Sequence, residues 1–230
     1  MLNKTQAIVL HHIRYGDTSL IVTLYTEKFG RLTCMVSGVH SKRSKFPPTY
    51  FQPLTLLEGE IYYKRNREIQ RIRELACPFH YTTIPFTIVK SSIALFLAEV
   101  LYITLREEEA NPALFSFLFH SFQLLDTREE GIPNFHLLFM LNFSKYLGIF
   151  PAELAHRENS AELSVFSHMP DEAWQALTNM AGTSLAAPEK VDISHHTRNL
   201  LLDRLMRYFS LHMDGMDRMK SLQVLKEVFR

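Results

Sequence analysis

The sequence predicts an α+β multidomain protein, a five-stranded β-barrel followed by a helical bundle, and three observations carry that reading. The first eighty residues hold five short segments rich in Val, Ile, Leu, Thr and Tyr, separated by turns containing Gly, Pro or Asp. Beyond Pro78 the apolar period lengthens, and Asn-Pro, Pro-Asn and Pro-Asp pairs open segments of helical length. Charge divides as well: residues 1–80 carry 12 Lys and Arg against 6 Asp and Glu, a net of +6, and residues 81–230 carry 13 against 18, a net of −5. With 230 residues and 47% hydrophobic content, the chain has enough apolar material for two cores. The domains are expected at 1–79 and 80–230.

The first strand is expected over Thr5–Ile13, ending at the turn Tyr15-Gly16-Asp17. Leu20–Thr26 alternates, with Leu20, Val22 and Leu24 on one face, and Gly30 turns the chain into a third strand over Arg31–Val39. There Leu32, Cys34 and Val36 point one way, while Arg31, Thr33, Met35 and Ser37 make a more polar face open to solvent or ligand. A fourth strand spans Leu54–Tyr63, with Gly59 marking a bulge or a close approach. Glu68–Leu75 completes the set as a strand, although Ile69, Ile72 and Leu75 repeat every three residues, as a short helix would. Five such strands fit an OB-type barrel, a fold that often binds single strands, and fit an SH3-like barrel nearly as well.

The helical domain reads as a series of capped, amphipathic segments. Ser91–Leu105 sets Leu97, Val100, Leu101 and Thr104 on one face and runs out at Glu107-Glu108-Glu109. Asn111-Pro112 opens a helix carrying Leu114, Leu118, Phe122 and Leu125; Pro133-Asn134 opens another, with Phe135, Leu138, Phe139, Phe143, Tyr146 and Leu147 on its buried side and Gly148 at its stop. Pro170-Asp171-Glu172, Ser194 and Met219 begin three more.

The chemistry-bearing stretch is His40–Tyr50, in which Lys42, Arg43 and Lys45 sit among serines and prolines with no acidic residue. Unpaired cations are costly to bury and well suited to phosphates, so the loop reads as a phosphate-binding tip or as an ordinary solvated loop. A second cationic turn, Lys64-Arg65-Asn66-Arg67, tips the balance toward polyanion binding, and Arg14, Arg31, Arg71 and Arg73 extend the path. Tyr50, Phe51, Tyr62 and Tyr63 flank these loops; Tyr63, beside Lys64 and Arg65, is the expected stacking platform.

Several function classes fall away. Gly38–Ser44 lacks the second glycine and the Gly-Lys-Ser/Thr ending of a phosphate loop, and no GxSxG, HExxH or catalytic Cys-His pattern stands out. The adjacent pairs His11-His12 and His195-His196 point to different faces and so cannot easily share a metal. Glu107, Glu108 and Glu109 spread around a helix end instead of converging. Cys34 and Cys77 form no CxxC pair and are expected as free thiols. The apolar runs are too short for a membrane span and the start lacks a signal peptide's pattern, so a soluble, cytoplasmic, nucleoid-associated protein without a cofactor or metal is expected.

Gln6-Ala7-Ile8-Val9-Leu10, Tyr15-Gly16-Asp17-Thr18-Ser19, Ile21–Thr26 with Gly30, Ser37-Gly38 followed by Lys42, Arg43, Ser44 and Lys45, and Phe51-Gln52-Pro53-Leu54 with Leu57-Glu58 together resemble the RecO family. Tyr146–Pro151 and Lys220–Leu225 extend the likeness into the second half. The resemblance implies a recombination mediator that binds single- and double-stranded DNA, anneals complementary strands, and works with RecR and single-strand-binding protein (SSB) to load RecA. It implies no catalytic turnover. Some members carry a four-cysteine zinc site just after the stretch matching Tyr146–Pro151; residues 152–168 here hold His156 and His168 but no cysteine, so no zinc is expected. For the acidic-hydrophobic tail of single-strand-binding protein, Arg204 and Arg207 with Leu201 and Leu205 offer a basic rim on an apolar groove, or surface arginines above a packed core. Two other readings stay open: a protein-interaction adaptor, and an OB-fold RNA-binding protein.

Overall fold

The computed structural model describes residues 1–41, 44–151, 162–187 and 191–229. Strands β1 (Leu2–Tyr15), β2 (Ser19–Thr26), β3 (Gly30–Val36), β4 (Leu56–Tyr62) and β5 (Ile69–Ala76) close into a barrel in the order β1-β2-β3-β5-β4. All neighbours are antiparallel except β3 and β5, which pair in parallel over Thr33–Met35 and Ile69–Arg71. This is an OB-type barrel. The predicted faces Leu20, Val22, Leu24 and Leu32, Cys34, Val36 are buried in its interior, joined by Val9, Leu57 and Ile61 of the other strands and by Val39, Phe46 and Phe51 from the long β3–β4 connection. Burial pushes the Cys34 thiol up to about 12, as befits a small core residue.

The three-residue repeat in the fifth strand has a physical cause. Glu60 of β4 faces Glu74, but Ile61 faces Ile72, so Arg73 is an extra residue on β5. This bulge resets the alternation, and Ile72 and Leu75 both turn toward the barrel core. Gly59 lies opposite Leu75, where a Cβ would sit 2.5 Å from the Glu74 carbonyl oxygen, so the expected close approach is there and only glycine fits it.

Helices α1 (Ile88–Thr104), α2 (Pro112–Thr127), α3 (Phe135–Tyr146), α4 (Asp171–Ala181), α5 (His195–His212) and α6 (Ser221–Val228) follow. The chain groups into two compact units: Met1–Thr82 with Leu97–Gln123, and Thr83–Phe96 with Leu124–Arg230. The last half of α1 and most of α2 therefore belong with the barrel.

In the first unit, Tyr25 of β2 stacks against Phe115 of α2 at 6.3 Å, and the Arg31 amide donates to the Glu107 carbonyl at 2.9 Å. Gly30, at φ 63, leaves no room for a side chain against the backbone of Glu107 and Glu109.

The second unit packs Phe135, Leu138, Phe139 and Phe143 of α3 with Leu177 of α4 and Leu201, Leu205 and Phe209 of α5. Tyr146, expected on that buried face, is exposed, because α3 ends there in a left-handed Gly148 whose following amide, Ile149 N–H, returns to the Ser144 carbonyl at 3.0 Å. Ser194 caps α5 as expected, its hydroxyl accepting from the Thr197 amide at 3.1 Å. No helix among the described residues is long and apolar enough to cross a membrane.

Candidate nucleic-acid interface

The basic β3–β4 loop is clamped at both feet. Val39 and Phe46 are buried in the barrel core, Ser41 N–H and Oγ donate to the Gly38 carbonyl at 3.1 and 2.8 Å, and Ser44 Oγ donates to the Phe46 carbonyl at 2.6 Å. Lys42 and Arg43 lie outside the described residues. Lys45 is exposed; its ammonium donates to the Arg73 carbonyl at 2.6 Å and sits 5.3 Å from the Phe46 ring centre. That bond ties the loop to the bulge of β5.

The second basic turn owes its shape to Gln70, only 3% exposed. Its Oε1 accepts from the Lys64 amide at 2.9 Å, and its Nε2 donates to the carbonyls of Lys64 and Arg67 at 2.9 and 2.6 Å. One buried amide thus satisfies three backbone groups of the turn and leaves Lys64, Arg65 and Arg67 exposed. Arg67 lies two residues before β5 begins, and Arg71 and Arg73 follow within it, so the basic turn runs directly into β5.

Between β3 and β5 the ladder stops at the pair Met35–Arg71. Past it lies an open groove of about 390 Å³, lined by Met35, Val36, Ser37, Lys45, Phe46, Arg71, Ile72 and Arg73. Arg71 is exposed and makes no ion pair among the described residues; Arg73 pairs with Glu60 at 3.3 Å and reaches Glu74 at 4.0 Å. Register places Tyr62 beside Arg71, and the Tyr62 side chain is 48% exposed.

Other predicted residues sit elsewhere. Arg31 is engaged elsewhere: its Nη1 donates to the Tyr102 and Leu105 carbonyls at 2.7 Å each, and its guanidinium lies 4.7 Å from the Tyr102 ring centre, so it closes the C-terminal end of α1. Tyr63 is not an open platform, because its ring stacks on Phe29 at 4.2 Å and 15°. Tyr62 is the exposed aromatic of that pair, and Phe51 is wholly buried. Arg14 is exposed at the β1–β2 turn, donating to the Asp17 carbonyl at 3.0 Å; its register partner Leu20 neighbours Val36, two strand spacings or about 10 Å away.

In the second unit, Leu201 and Leu205 are buried core residues and cannot floor an open groove, and Arg204 donates to the Val165 carbonyl at 2.9 Å. Arg207 alone of that set is exposed. His156 lies outside the described residues, and His168 is exposed; among the described residues no three His, Cys, Asp or Glu converge on a metal position. Gln70 carried no sequence signal as a positioning residue, whereas Met35 and Ser37 stood on the polar face expected for β3.

Comparison with known proteins agrees with the geometry. The family model described as "Recombination protein O N terminal" matches residues 1–78, and "Recombination protein O C terminal" matches residues 85–223. Proteins named DNA repair protein RecO are similar along the whole chain: that of Phocaeicola vulgatus is 37% identical over 245 residues, covering 100% of both chains. The Bacteroides fragilis protein is 38% identical over 242 residues, again with 100% of both, and the Flavobacterium psychrophilum protein is 38% identical over 239 residues with 98% of both. An OB-type barrel with exposed cations in and just before β5, two matching family models and full-length similarity lead to one conclusion: the chain belongs to the RecO family of DNA repair proteins.

Proposed function

We propose that this protein is a non-catalytic recombination mediator of the cytoplasm and nucleoid. It binds single- and double-stranded DNA, anneals complementary strands, and helps load RecA onto DNA coated with single-strand-binding protein, together with RecR. Residues 1–79 supply the DNA surface and the helical region from residue 80 the protein contacts. The observation that carries this reading is the set of exposed cations in the turn before β5 and on β5 itself, Lys64, Arg65, Arg67 and Arg71, with Lys45 bonded to the β5 bulge. Each exposed cation can neutralise one backbone phosphate, so the set can meet several. Lys42 and Arg43 are proposed from the sequence as further phosphate contacts. Two strands held on such a surface have their mutual repulsion screened, which favours annealing.

The test is a fluorescence-anisotropy titration of a labelled single strand at several salt concentrations, with wild type beside Lys42/Arg43/Lys45→Ala. With about four phosphates contacted, the log of affinity should fall with log salt at a slope near −3, flattening by about two in the variant. An unchanged slope in the variant moves the DNA path off the loop. No binding by wild type at low salt would leave the adaptor reading.

A further inference from the structure

The groove at the divergence of β3 and β5 has features that phosphate binding does not need. A backbone phosphate is served by an exposed cation on a flat surface, and Lys64, Arg65 and Arg67 are of that kind. Here the strands separate after Met35 and Arg71, leaving a concavity of about 390 Å³, near the lower end of the roughly 300–1,000 Å³ of small-molecule clefts. Its apolar lining is Met35, Phe46 and Ile72, its rim is Lys45, Arg71 and Arg73, and no carboxylate lines it. An apolar floor under planar guanidinium groups suits a flat aromatic ring joined to a negative charge.

Two details say the concavity is built. The β5 bulge places Arg73 opposite no residue of β4, and the Lys45 ammonium takes its carbonyl, pinning the loop beside the opening. Arg71, meanwhile, is held only by its strand: no carboxylate engages it among the described residues, and exposed Tyr62 stands next to it in register.

We propose that this groove is a nucleotide subsite that takes one unstacked base of a single strand, with the base over Met35 and Ile72 and at the edge of Phe46, the Arg71 guanidinium against its face, and Lys45 at its phosphate. The inference rests on the DNA-binding reading and adds to it a means of telling single strands from duplex. A paired base stays in its stack and cannot enter, so duplex meets only the cations.

The experiment measures the ratio of single-strand to duplex affinity for wild type, Arg71→Ala, Arg71→Lys and Ser37→Trp, with thermal melts to establish that each is folded. Ser37 is exposed on the groove wall, so a tryptophan there fills the space without entering the core. Loss of one stacked base should weaken single-strand binding about tenfold in Arg71→Ala and Ser37→Trp, and Ser37→Trp should leave duplex binding unchanged. Arg71→Lys keeps the charge and loses the plane, so it should weaken single-strand binding more than duplex binding and lower their ratio. A single strand carrying 2-aminopurine should change its fluorescence on binding wild type and not on binding Ser37→Trp. An RNA strand of the same sequence distinguishes the source of the nucleotide: equal weakening assigns the subsite to any single strand, weakening of DNA alone assigns it to DNA. If the variants shift single strand and duplex equally, or leave the ratio at the wild-type value, the subsite is overturned while phosphate binding stands. If wild type binds neither form, both readings fall.

Discussion

At the turn before β5 and on β5 in the first unit, Lys64, Arg65, Arg67 and Arg71 are exposed, with no side-chain ion pair among the described residues. In the second unit several cations are instead held by oxygens of the fold: Arg128 donates to the Ala186 carbonyl, Arg198 to Asn134 Oδ1 at 2.8 Å and the Ile193 carbonyl at 3.4 Å, and Arg204 to the Val165 carbonyl. Lys90, only 5% exposed, gives its ammonium to Thr83 Oγ1 and the Asp126 carbonyl at 2.7 Å each. The same residue types thus do opposite work. A barrel satisfies its backbone within the sheet and can point its cations outward, whereas helices joined by irregular segments leave carbonyls that long cationic side chains close.

The largest test of that contrast is Asp126. It is buried, and its Oδ1 accepts from the amides of Thr83 and Ile84 at 2.8 and 2.9 Å, beside the Lys90 ammonium. Asp126→Ala orphans two amides and leaves a buried cation without its counter-charge, which should cost about 3–5 kcal/mol in urea unfolding. Lys90→Met in the same chain should recover part of that loss. A change below about 1 kcal/mol would show that the network contributes little to stability.

Arg31 lies on the basic barrel but is engaged like the cations of the second unit. Arg31→Ala should lower stability by about 2 kcal/mol, from two charge-assisted bonds to helix-end carbonyls and a ring contact. The salt slope of DNA binding should not move. A flatter slope with unchanged stability would put Arg31 back on the phosphate path.

Arg31 also shows where sequence reasoning stops. Alternation along β2 and β3 sorts their residues onto two faces, and Leu20, Val22, Leu24, Leu32, Cys34 and Val36 lie in the observed barrel core. Alternation says nothing of what covers the outer face, and Arg31, Thr33 and Met35 have identical status in a period-two pattern. Only the packing of α1 and α2 separates a helix-capping arginine from a groove-lining methionine. Likewise the run Ile69, Ile72, Leu75 was ambiguous because a bulge imitates a helical period, and the bulge is visible only through its partner strand. The basic loops themselves were legible, since clustered cations without acids need no tertiary information. Gln70 was not, because a glutamine that will be buried looks like any other. Leu201 and Leu205 failed as groove residues for the complementary reason: an apolar stripe marks burial and does not name its occupant.

The smallest effect at neutral pH belongs to His136, the counterexample within the second unit. It is fully buried, stacked on Phe229 at 5.4 Å and edge-on to Phe96 at 6.2 Å, and neither ring nitrogen has a hydrogen-bond partner. Burial, with Arg198 adding to it, pushes the imidazole down to about 3. The folded protein therefore holds His136 neutral while the unfolded chain protonates it below its ordinary value of 6.5. Its contribution to stability is intact above that pH and declines as pH falls toward 3, by at most about 1.4 kcal/mol per pH unit. His136→Phe removes the unpaired nitrogens and the titration together. At pH 7 it should be neutral or gain about 1 kcal/mol, and between pH 6 and 4 its melting temperature should fall less steeply than that of wild type. Parallel acid profiles for the two proteins would mean that His136 is protonated in the folded state over that range, and that its nitrogens are satisfied after all.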